Sequence, residues 1–117
     1  MIQIPGYTEP MHVYLREQYP NDGPLLSVVV GRTAYCIPRE SNLRRHEYTH
    51  VEVGIVFEDG LVSTECLRPW LPDHEYLGED EVICLSVTEL DAVRAGMREK
   101  YGEPSPATGG HWSFVRE

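Results

Sequence analysis

The sequence has no long hydrophobic run and no paired-cysteine motif. No apolar stretch approaches the roughly 20 residues that cross a bilayer, and residues 1–10 have neither the basic start nor the apolar core of an export signal. The three cysteines, Cys36, Cys66 and Cys84, lie in separate apolar segments without metal-type spacing. We therefore expect three buried, reduced thiols in a cytoplasmic protein that does not associate with membranes.

Motifs of the common nucleotide, phosphate and hydrolase sites are also missing, and basic residues are few. The chain has no G-x-G-x-x-G, Walker or G-x-S-x-G pattern, so we expect no cofactor. It holds 10 Lys and Arg against 19 Asp and Glu, for a net charge of −9. Most of the acidic residues fall in residues 47–91, where Arg68 is the one basic residue. Such a surface repels nucleic acid and attracts basic proteins, although negative charge also keeps a small protein soluble.

Length and composition are those of one globular domain. The chain has 117 residues, of which 41% are apolar and 25% charged, enough to close a single core. We place one α+β domain at residues 1–102. The Pro/Gly-rich residues 103–117 form a C-terminal tail that either moves freely or docks through Trp112 and Phe114.

Apolar periodicity predicts a mainly β core. Residues 25–30 and 34–37 form apolar runs on either side of a turn, which predicts one hairpin. Residues 47–57 alternate between apolar and polar side chains, the pattern of a half-buried strand. A tight Glu58-Asp59-Gly60 turn then leads into a return strand at residues 61–67. Residues 8–19 fit a strand or a helix, and we favour the strand.

The end of the sheet and the helix carry the clearest local signals. Residues 82–85 predict a last strand, and Ser86 with Glu89 forms the S-x-x-E capping box that begins a helix. Apolar residues at helical spacing continue to Tyr101, and Gly102 stands where a helix ends. Residues 68–80 contain prolines that exclude regular structure, yet we expect their large apolar side chains to pack back on the sheet: Trp70, Leu71, Tyr76 and Leu77. The predicted fold is an antiparallel sheet of about five to six strands with one C-terminal helix packed on one face.

One motif suggests catalysis. Residues 46–50 match H-E-x-x-H, the signature of zincin metalloproteases, in which His46 and His50 would bind zinc and Glu47 would act as general base. The two histidines share an ion only on a helix, because a strand separates them by about 13 Å. The alternation of the following residues favours the strand. We therefore expect two surface histidines and no metal site.

The leading functional hypothesis is a non-catalytic acidic binding protein that docks on a basic surface of a partner, such as a nucleic-acid-binding enzyme. Phage inhibitors, antitoxins and immunity proteins act in this way, by occupying a cationic groove. The expected contact surface runs from the 58–59 turn through the 73–81 loop and comprises Glu58, Asp59, Asp73, Glu75, Glu79, Asp80 and Glu81. A small zinc hydrolase using the H-E-x-x-H residues and an oligomeric structural subunit are the alternatives.

Overall fold

A computed structural model describes residues 11–107 and 114–115 of the chain. The described part is an α+β fold in which an antiparallel sheet of six strands packs against one C-terminal helix, as predicted. No described helix is long and apolar enough to cross a bilayer. The elements are β1 (His12–Gln18), β2 (Leu25–Val30), β3 (His50–Phe57), β4 (Gly60–Leu61), β5 (Val82–Ser86), α1 (Val87–Tyr101) and β6 (Ser105–Pro106).

The sheet has the strand order β4-β3-β2-β1-β6, and β5 pairs with β3 along the same edge as β4. The register places Val53 between Val28 of β2 and Ile83 of β5. The face that carries these residues packs against α1, which supplies the buried side chains of Leu90, Val93 and Met97. Alternation along β3 thus sends one set of apolar side chains into a single core.

The capping box and the helix bounds were predicted correctly. Ser86 Oγ accepts the Glu89 backbone N–H at 3.1 Å, and the Glu89 carboxylate accepts the Ser86 N–H at 2.8 Å. The helix ends at Gly102, whose φ of 112° suits glycine. The β1–β2 turn also caps this end, because the Asn21 side-chain amide donates to the Tyr101 carbonyl at 2.6 Å.

β1 is a strand, as we favoured, within the described part of residues 8–19. Pieces of the expected tail lie along its outer edge, because β6 pairs with Glu17 and Gln18, and Val115 N donates to the Val13 carbonyl at 2.9 Å. The proposed anchor Phe114 was wrong, since its side chain is 52% exposed and Val115 is buried instead. Trp112 and residues 8–10 lie outside the described residues.

Two predicted strands are wrong. Residues 34–37 form no strand beyond a single bridge from Ile37 to His50, because β1 and β3 already occupy both edges of β2. The return strand at 61–67 ends after Leu61. Ser63 then caps a 3₁₀ helix at Thr64–Leu67 by accepting the Glu65 N–H, and β5 takes the rest of the β3 edge.

The start of β3 was also placed too early. Residues 45–47 form a 3₁₀ helix, because the Glu47 carboxylate accepts the Arg44 backbone N–H at 2.7 Å, and the strand begins at His50. All three cysteines are free thiols. Cys66 is exposed, against our prediction, because it lies on the 3₁₀ helix that replaces the expected strand.

The 68–81 loop is ordered by both packing and hydrogen bonds. Leu71 and Leu77 are buried as predicted, whereas Tyr76 is 61% exposed, against the prediction. Trp70 packs on α1 at Gly96, where a Cβ would overlap its indole ring. The Arg68 guanidinium donates to the His74 carbonyl at 2.8 Å, a bond across the inside of the loop.

Candidate functional site: a groove along strand β5

β5 pairs with β3 on one side and carries outward-facing backbone groups on the other. Val87 N donates to the Thr49 carbonyl at 3.1 Å. Because the hydrogen-bonded residues alternate along an antiparallel pair, Leu85 and Ile83 also bond to β3. The intervening residues Val82 and Cys84 therefore point their N–H and C=O groups away from β3. No described residue pairs with them on that side.

A hollow of about 420 Å³ lies along this strand, and we call it the β5 groove. Its lining includes three large apolar side chains that are exposed to solvent, namely Tyr35 (45%), Ile37 (51%) and Tyr76 (61%). These side chains come from two loops on either side of Val82 and Cys84. Exposed apolar area gathered around a concave surface marks a binding site more often than isolated exposed residues do.

The first wall, residues 35–39, is fixed to β3. Tyr35 N donates to Glu52 Oε1 at 3.0 Å, and Ile37 N donates to the His50 carbonyl at 3.1 Å. The Arg39 guanidinium lies 5.5 Å from the centre of the Tyr35 ring, within the range of a cation–π contact. This wall is therefore held by backbone hydrogen bonds from two positions.

The second wall is held by buried Thr64. Its hydroxyl donates to the Asp80 carbonyl and accepts the Gly78 N–H, both at 2.9 Å. His74 Nε2 lies 3.8 Å from Glu89 Oε2 at the start of α1. These contacts fix the loop at both ends and leave the Tyr76 side chain in the groove.

Acidic side chains dominate the charge of the β5 groove. Glu79 and Asp80 are exposed in its lining, and Arg39 is the one lysine or arginine among the described lining residues. Glu52 lies on β3, outside the lining of the groove. Burial raises the pKa of the Glu52 carboxyl, the N–H of Tyr35 opposes that rise, and repulsion by Asp80 adds to it.

The predicted acidic residues fall into three groups. Glu79 and Asp80 line the β5 groove. Glu58 and Asp59 join Asp22 around a second hollow of about 610 Å³ at the β3–β4 turn. The last group is exposed on or beside the 68–81 loop, outside both linings: Asp73, Glu75 and Glu81.

A shallow depression of about 220 Å³ connects the two hollows on the sheet face opposite α1. It shares Val56 with the hollow at the turn and Val82 with the β5 groove. Leu61 and Glu52 lie between them in its lining. Arg16 and Ser27 also line it, so the outer face carries a path of mixed apolar and polar side chains with exposed carboxylates at both ends.

The seven predicted acidic side chains have few partners within the described part of the chain. None of the seven forms an ion pair with a described residue, and Asp80 alone accepts a hydrogen bond, from the Glu81 N–H at 2.7 Å. Other carboxylates lie within 4 Å of an arginine or histidine nitrogen: Glu17, Glu65 and Glu103 beside arginine, and Glu89 beside His74. Exposed carboxylates elsewhere, such as Glu40, Asp91 and Glu99, also form no ion pair with a described residue, so the seven are marked by their clustering and not by their partners.

The H-E-x-x-H residues do not converge on one point. His46 and Glu47 lie in a single 3₁₀ turn, His50 begins β3, and the Glu47 carboxylate is already bonded to the Arg44 N–H. His50 Nδ1 lies 3.0 Å from the Thr49 hydroxyl. Within residues 11–107 and 114–115, no three His, Cys, Asp or Glu side chains are close enough to hold a metal ion.

The two thiols in the β5 groove are suited to packing. Cys36 Sγ donates to the carbonyls of Gly31 and Pro38, at 3.3 and 3.2 Å. Burial raises the pKa of both the Cys36 and the Cys84 thiols, so both stay protonated and are poor nucleophiles at neutral pH. The groove therefore offers shape and charge rather than a reactive thiol.

Sequence reasoning found two of the groove residues, Glu79 and Asp80, and missed the aromatic ones. Tyr35 was placed in a strand and Tyr76 in the core. Tyr76 follows Pro72 and precedes Gly78 in a stretch rich in acidic residues, a context in which a large apolar side chain has little core to reach. That context was the sequence signal from which the exposure of Tyr76 could have been predicted.

Comparison with known proteins adds no relative. No family model, no curated protein and no solved structure matches the chain. The functional argument therefore stands on the geometry and charge of the site.

Proposed function

We propose that the chain is a non-catalytic cytoplasmic binding protein whose free carboxylates dock on a basic surface of a partner protein. One observation carries the proposal: the seven exposed acidic side chains form no ion pair with a described residue, although the fold does pair the buried Glu17 carboxylate with Arg94. Unpaired carboxylates raise the negative potential around the molecule and speed association with cationic surfaces.

An inhibitor or regulator of a nucleic-acid-binding enzyme is the class that fits this surface. Such an enzyme holds phosphate in a cationic groove, and a small acidic protein competes for the same charges, as phage inhibitors, antitoxins and immunity proteins do. The acidic groups lie at the two ends of the outer face, with Arg16 between them, so a cationic surface would make its favourable contacts at those ends.

The test uses two variants with the same change in net charge. Glu79→Gln/Asp80→Asn removes two groove carboxylates, and Asp91→Asn/Glu99→Gln removes two exposed carboxylates on α1. Proteins captured from cell extract by the wild type are purified, and their affinities for the wild type and both variants are measured by calorimetry. We expect the groove variant to bind at least about tenfold more weakly, and the α1 variant to bind like the wild type.

A competition assay then tests regulation. The partner is loaded with labelled nucleic acid, and the chain is added at increasing salt concentration. Displacement that weakens with salt supports the proposal, because both ligands neutralise the same cationic groups. A partner that binds both variants and the wild type equally would contradict an acidic docking surface.

A further inference from the structure

We infer that the β5 groove receives one arginine side chain of the partner, with its guanidinium against the Tyr35 and Tyr76 rings and beside the Glu79 and Asp80 carboxylates. This inference rests on the proposed function and adds to it the side chain by which the basic surface is recognised. The side chain enters from above the sheet, so its binding needs no hydrogen bond to the backbone of β5.

The floor of the groove is one face of the sheet. Val51 and Val53 are buried on the face that packs against α1, so Glu52 between them lies on the opposite face of β3. Cys84 pairs with Glu52 across β3 and β5, which places the Cys84 side chain on that same face, and Val82 follows by alternation. A ligand in the groove therefore rests on the Val82 and Cys84 side chains.

The two walls bring one tyrosine to each side of this floor. The Tyr35 N–H donates to Glu52 Oε1 at 3.0 Å, so this wall lies on the β3 side of the floor. Tyr76 comes from the loop on the other side of β5, where its N–H donates to His74 Nδ1 at 3.2 Å. The His74 and Tyr76 rings meet edge to face with their centres 6.1 Å apart, which fixes the second tyrosine. Both tyrosine side chains line the groove and are exposed to solvent.

The chain itself places a guanidinium against one of these rings. Arg39 lies 5.5 Å from the centre of the Tyr35 ring, whereas no described lysine or arginine lies over the Tyr76 ring. A planar guanidinium stacks on aromatic rings and pairs with carboxylates through several N–H groups, while the ammonium of lysine acts as a compact point charge. The groove therefore suits arginine better than lysine.

The chain does not balance the negative charge around the groove. Glu79 and Asp80 form no ion pair with a described residue. Glu52, in the neighbouring depression, accepts the Tyr35 N–H, and repulsion by Asp80 adds to the rise in the pKa of its carboxyl. A guanidinium beside Asp80 would relieve that repulsion. The groove thus favours a cation, although Arg39 also lines it.

The size of the groove also suits one long side chain. Its volume of about 420 Å³ is near the lower end of the range for small-molecule sites, about 300 to 1,000 Å³. Ile37 is exposed in the lining and offers an apolar contact to the methylene groups of an arginine. The backbone of the partner then stays outside the groove.

The experiment uses the intact chain and three short peptides with blocked ends. Each peptide has alanine and serine around one central residue, which is arginine, lysine or citrulline. Citrulline has the shape of arginine without its charge. Binding is followed by NMR at the methyl groups of Val82 and Ile37 and at the Tyr76 ring. The Leu25 methyl groups, in the acidic hollow at the β3–β4 turn, report general attraction to the negative surface.

We expect the arginine peptide to bind with a millimolar dissociation constant and to shift the groove signals without a matching shift at Leu25. The lysine peptide should bind at least about twofold more weakly, and the citrulline peptide at least about fivefold more weakly. Tyr76→Leu should weaken the arginine peptide about two- to fivefold. Phe114→Leu is the matched control, because it removes another exposed ring outside the groove, and it should bind like the wild type.

Loss of the groove carboxylates should also weaken the arginine peptide. We expect Glu79→Gln/Asp80→Asn to bind it at least about threefold more weakly, because two favourable charge contacts are lost. Asp91→Asn/Glu99→Gln makes the same change in net charge on α1 and should leave the affinity unchanged.

The contrary results separate this inference from the proposed function. Equal binding of the lysine or citrulline peptide, undiminished binding by Tyr76→Leu, or equal shifts at Leu25 and Val82 would each overturn the arginine pocket. The acidic docking surface would still stand if the captured partner binds Glu79→Gln/Asp80→Asn more weakly. A partner that binds this variant like the wild type would overturn the proposed function, even if the arginine peptide shifts the groove signals. Shifts at Val82 that grow with protein concentration alone, with a doubled mass in light scattering, would identify a second copy as the occupant and overturn the assignment to a partner.

Discussion

The carboxylate of Glu17 accepts two hydrogen bonds from the guanidinium of Arg94, at 2.8 and 3.0 Å, across 77 residues of sequence. Tyr19 donates a third from its hydroxyl at 3.0 Å. Glu17 lies on β1 and Arg94 on α1, so this pair joins the first strand to the helix directly. Because Glu17 is 8% exposed, its charge depends on these donors.

Removal of the Arg94 side chain should destabilise the fold strongly. We expect Arg94→Met to lower the free energy of unfolding by about 2 to 4 kcal/mol, because it leaves a buried carboxylate with few donors. Arg98→Met is the matched control, since Arg98 lies 3.6 Å from the same carboxylate and is more exposed. Arg98→Met should lower the free energy of unfolding by less than about 1 kcal/mol. Urea unfolding of both variants measures the difference, and similar losses would contradict the role of Arg94.

The same contact makes stability depend on pH. Burial raises the pKa of the Glu17 carboxyl, but the hydrogen bonds from Arg94 and Tyr19 outweigh it and hold the pKa below its ordinary value of 4.5. The stabilisation is therefore fully present above about pH 4.5 and is lost as pH falls through the lowered folded pKa. In unfolding curves recorded from pH 6 to pH 3, the wild type should lose stability more steeply than Glu17→Gln. Parallel curves would count against this ion pair.

Glu52 shows the opposite dependence on pH. Its pKa is raised by burial, so the charged form is disfavoured in the folded state at neutral pH. Glu52→Gln keeps an oxygen that accepts the Tyr35 N–H, and it should raise stability at pH 7. Wild-type stability falls as pH rises through the raised pKa of Glu52, because the carboxylate then has to be charged while it is buried. Below about pH 4.5 Glu52 is protonated in both the folded and the unfolded chain, so the stability advantage of Glu52→Gln should vanish there. Thermal melts at both pH values test this, with Glu99→Gln as an exposed control.

Gly96 should tolerate alanine poorly despite its place within a helix. Glycine costs about 1 kcal/mol relative to alanine in a helix interior, yet a Cβ at this position would overlap the Trp70 indole. We expect Gly96→Ala to destabilise the protein and to shift the tryptophan fluorescence. In a Trp70→Ala background the same substitution should stabilise it by about 1 kcal/mol. A stabilising Gly96→Ala in the wild-type background would show that the contact is easily displaced.

The H-E-x-x-H residues should not hold zinc. We expect protein purified without chelator to contain no stoichiometric zinc and to melt at the same temperature with and without EDTA, because the motif spans a 3₁₀ turn and the start of a strand. His50→Ala should leave both readings unchanged. One zinc per chain that is lost in His50→Ala would revive the hydrolase alternative.

The elements that sequence predicted best are those fixed by neighbouring residues. Helix α1 is specified by the Ser86–Glu89 box, by its apolar spacing and by Gly102, all within one segment. The strand character of β3 follows from alternation over successive residues. Both signals are local, so no knowledge of the rest of the fold was needed.

The errors came from competition between distant segments. Residues 34–37 have strand-like composition, but β2 had no edge left to offer them. Residues 62–67 lost the β3 edge to β5, which follows much later in the chain. The β5 groove is hidden for the same reason, because its walls come from residues 35–39 and 74–80 and meet only after the sheet has formed. Charge alone pointed to Glu79 and Asp80.

The bond between Val115 and Val13 has a consequence during protein synthesis. β1 is the first described strand to leave the ribosome, and the residues that cover its outer edge, β6 and 114–115, are made only after β2 to α1. Until they emerge, the nascent chain carries an open strand edge that can pair with neighbouring chains. Translation that stops before residue 105 would leave a sheet with both edges open, so truncated products should be the ones that aggregate.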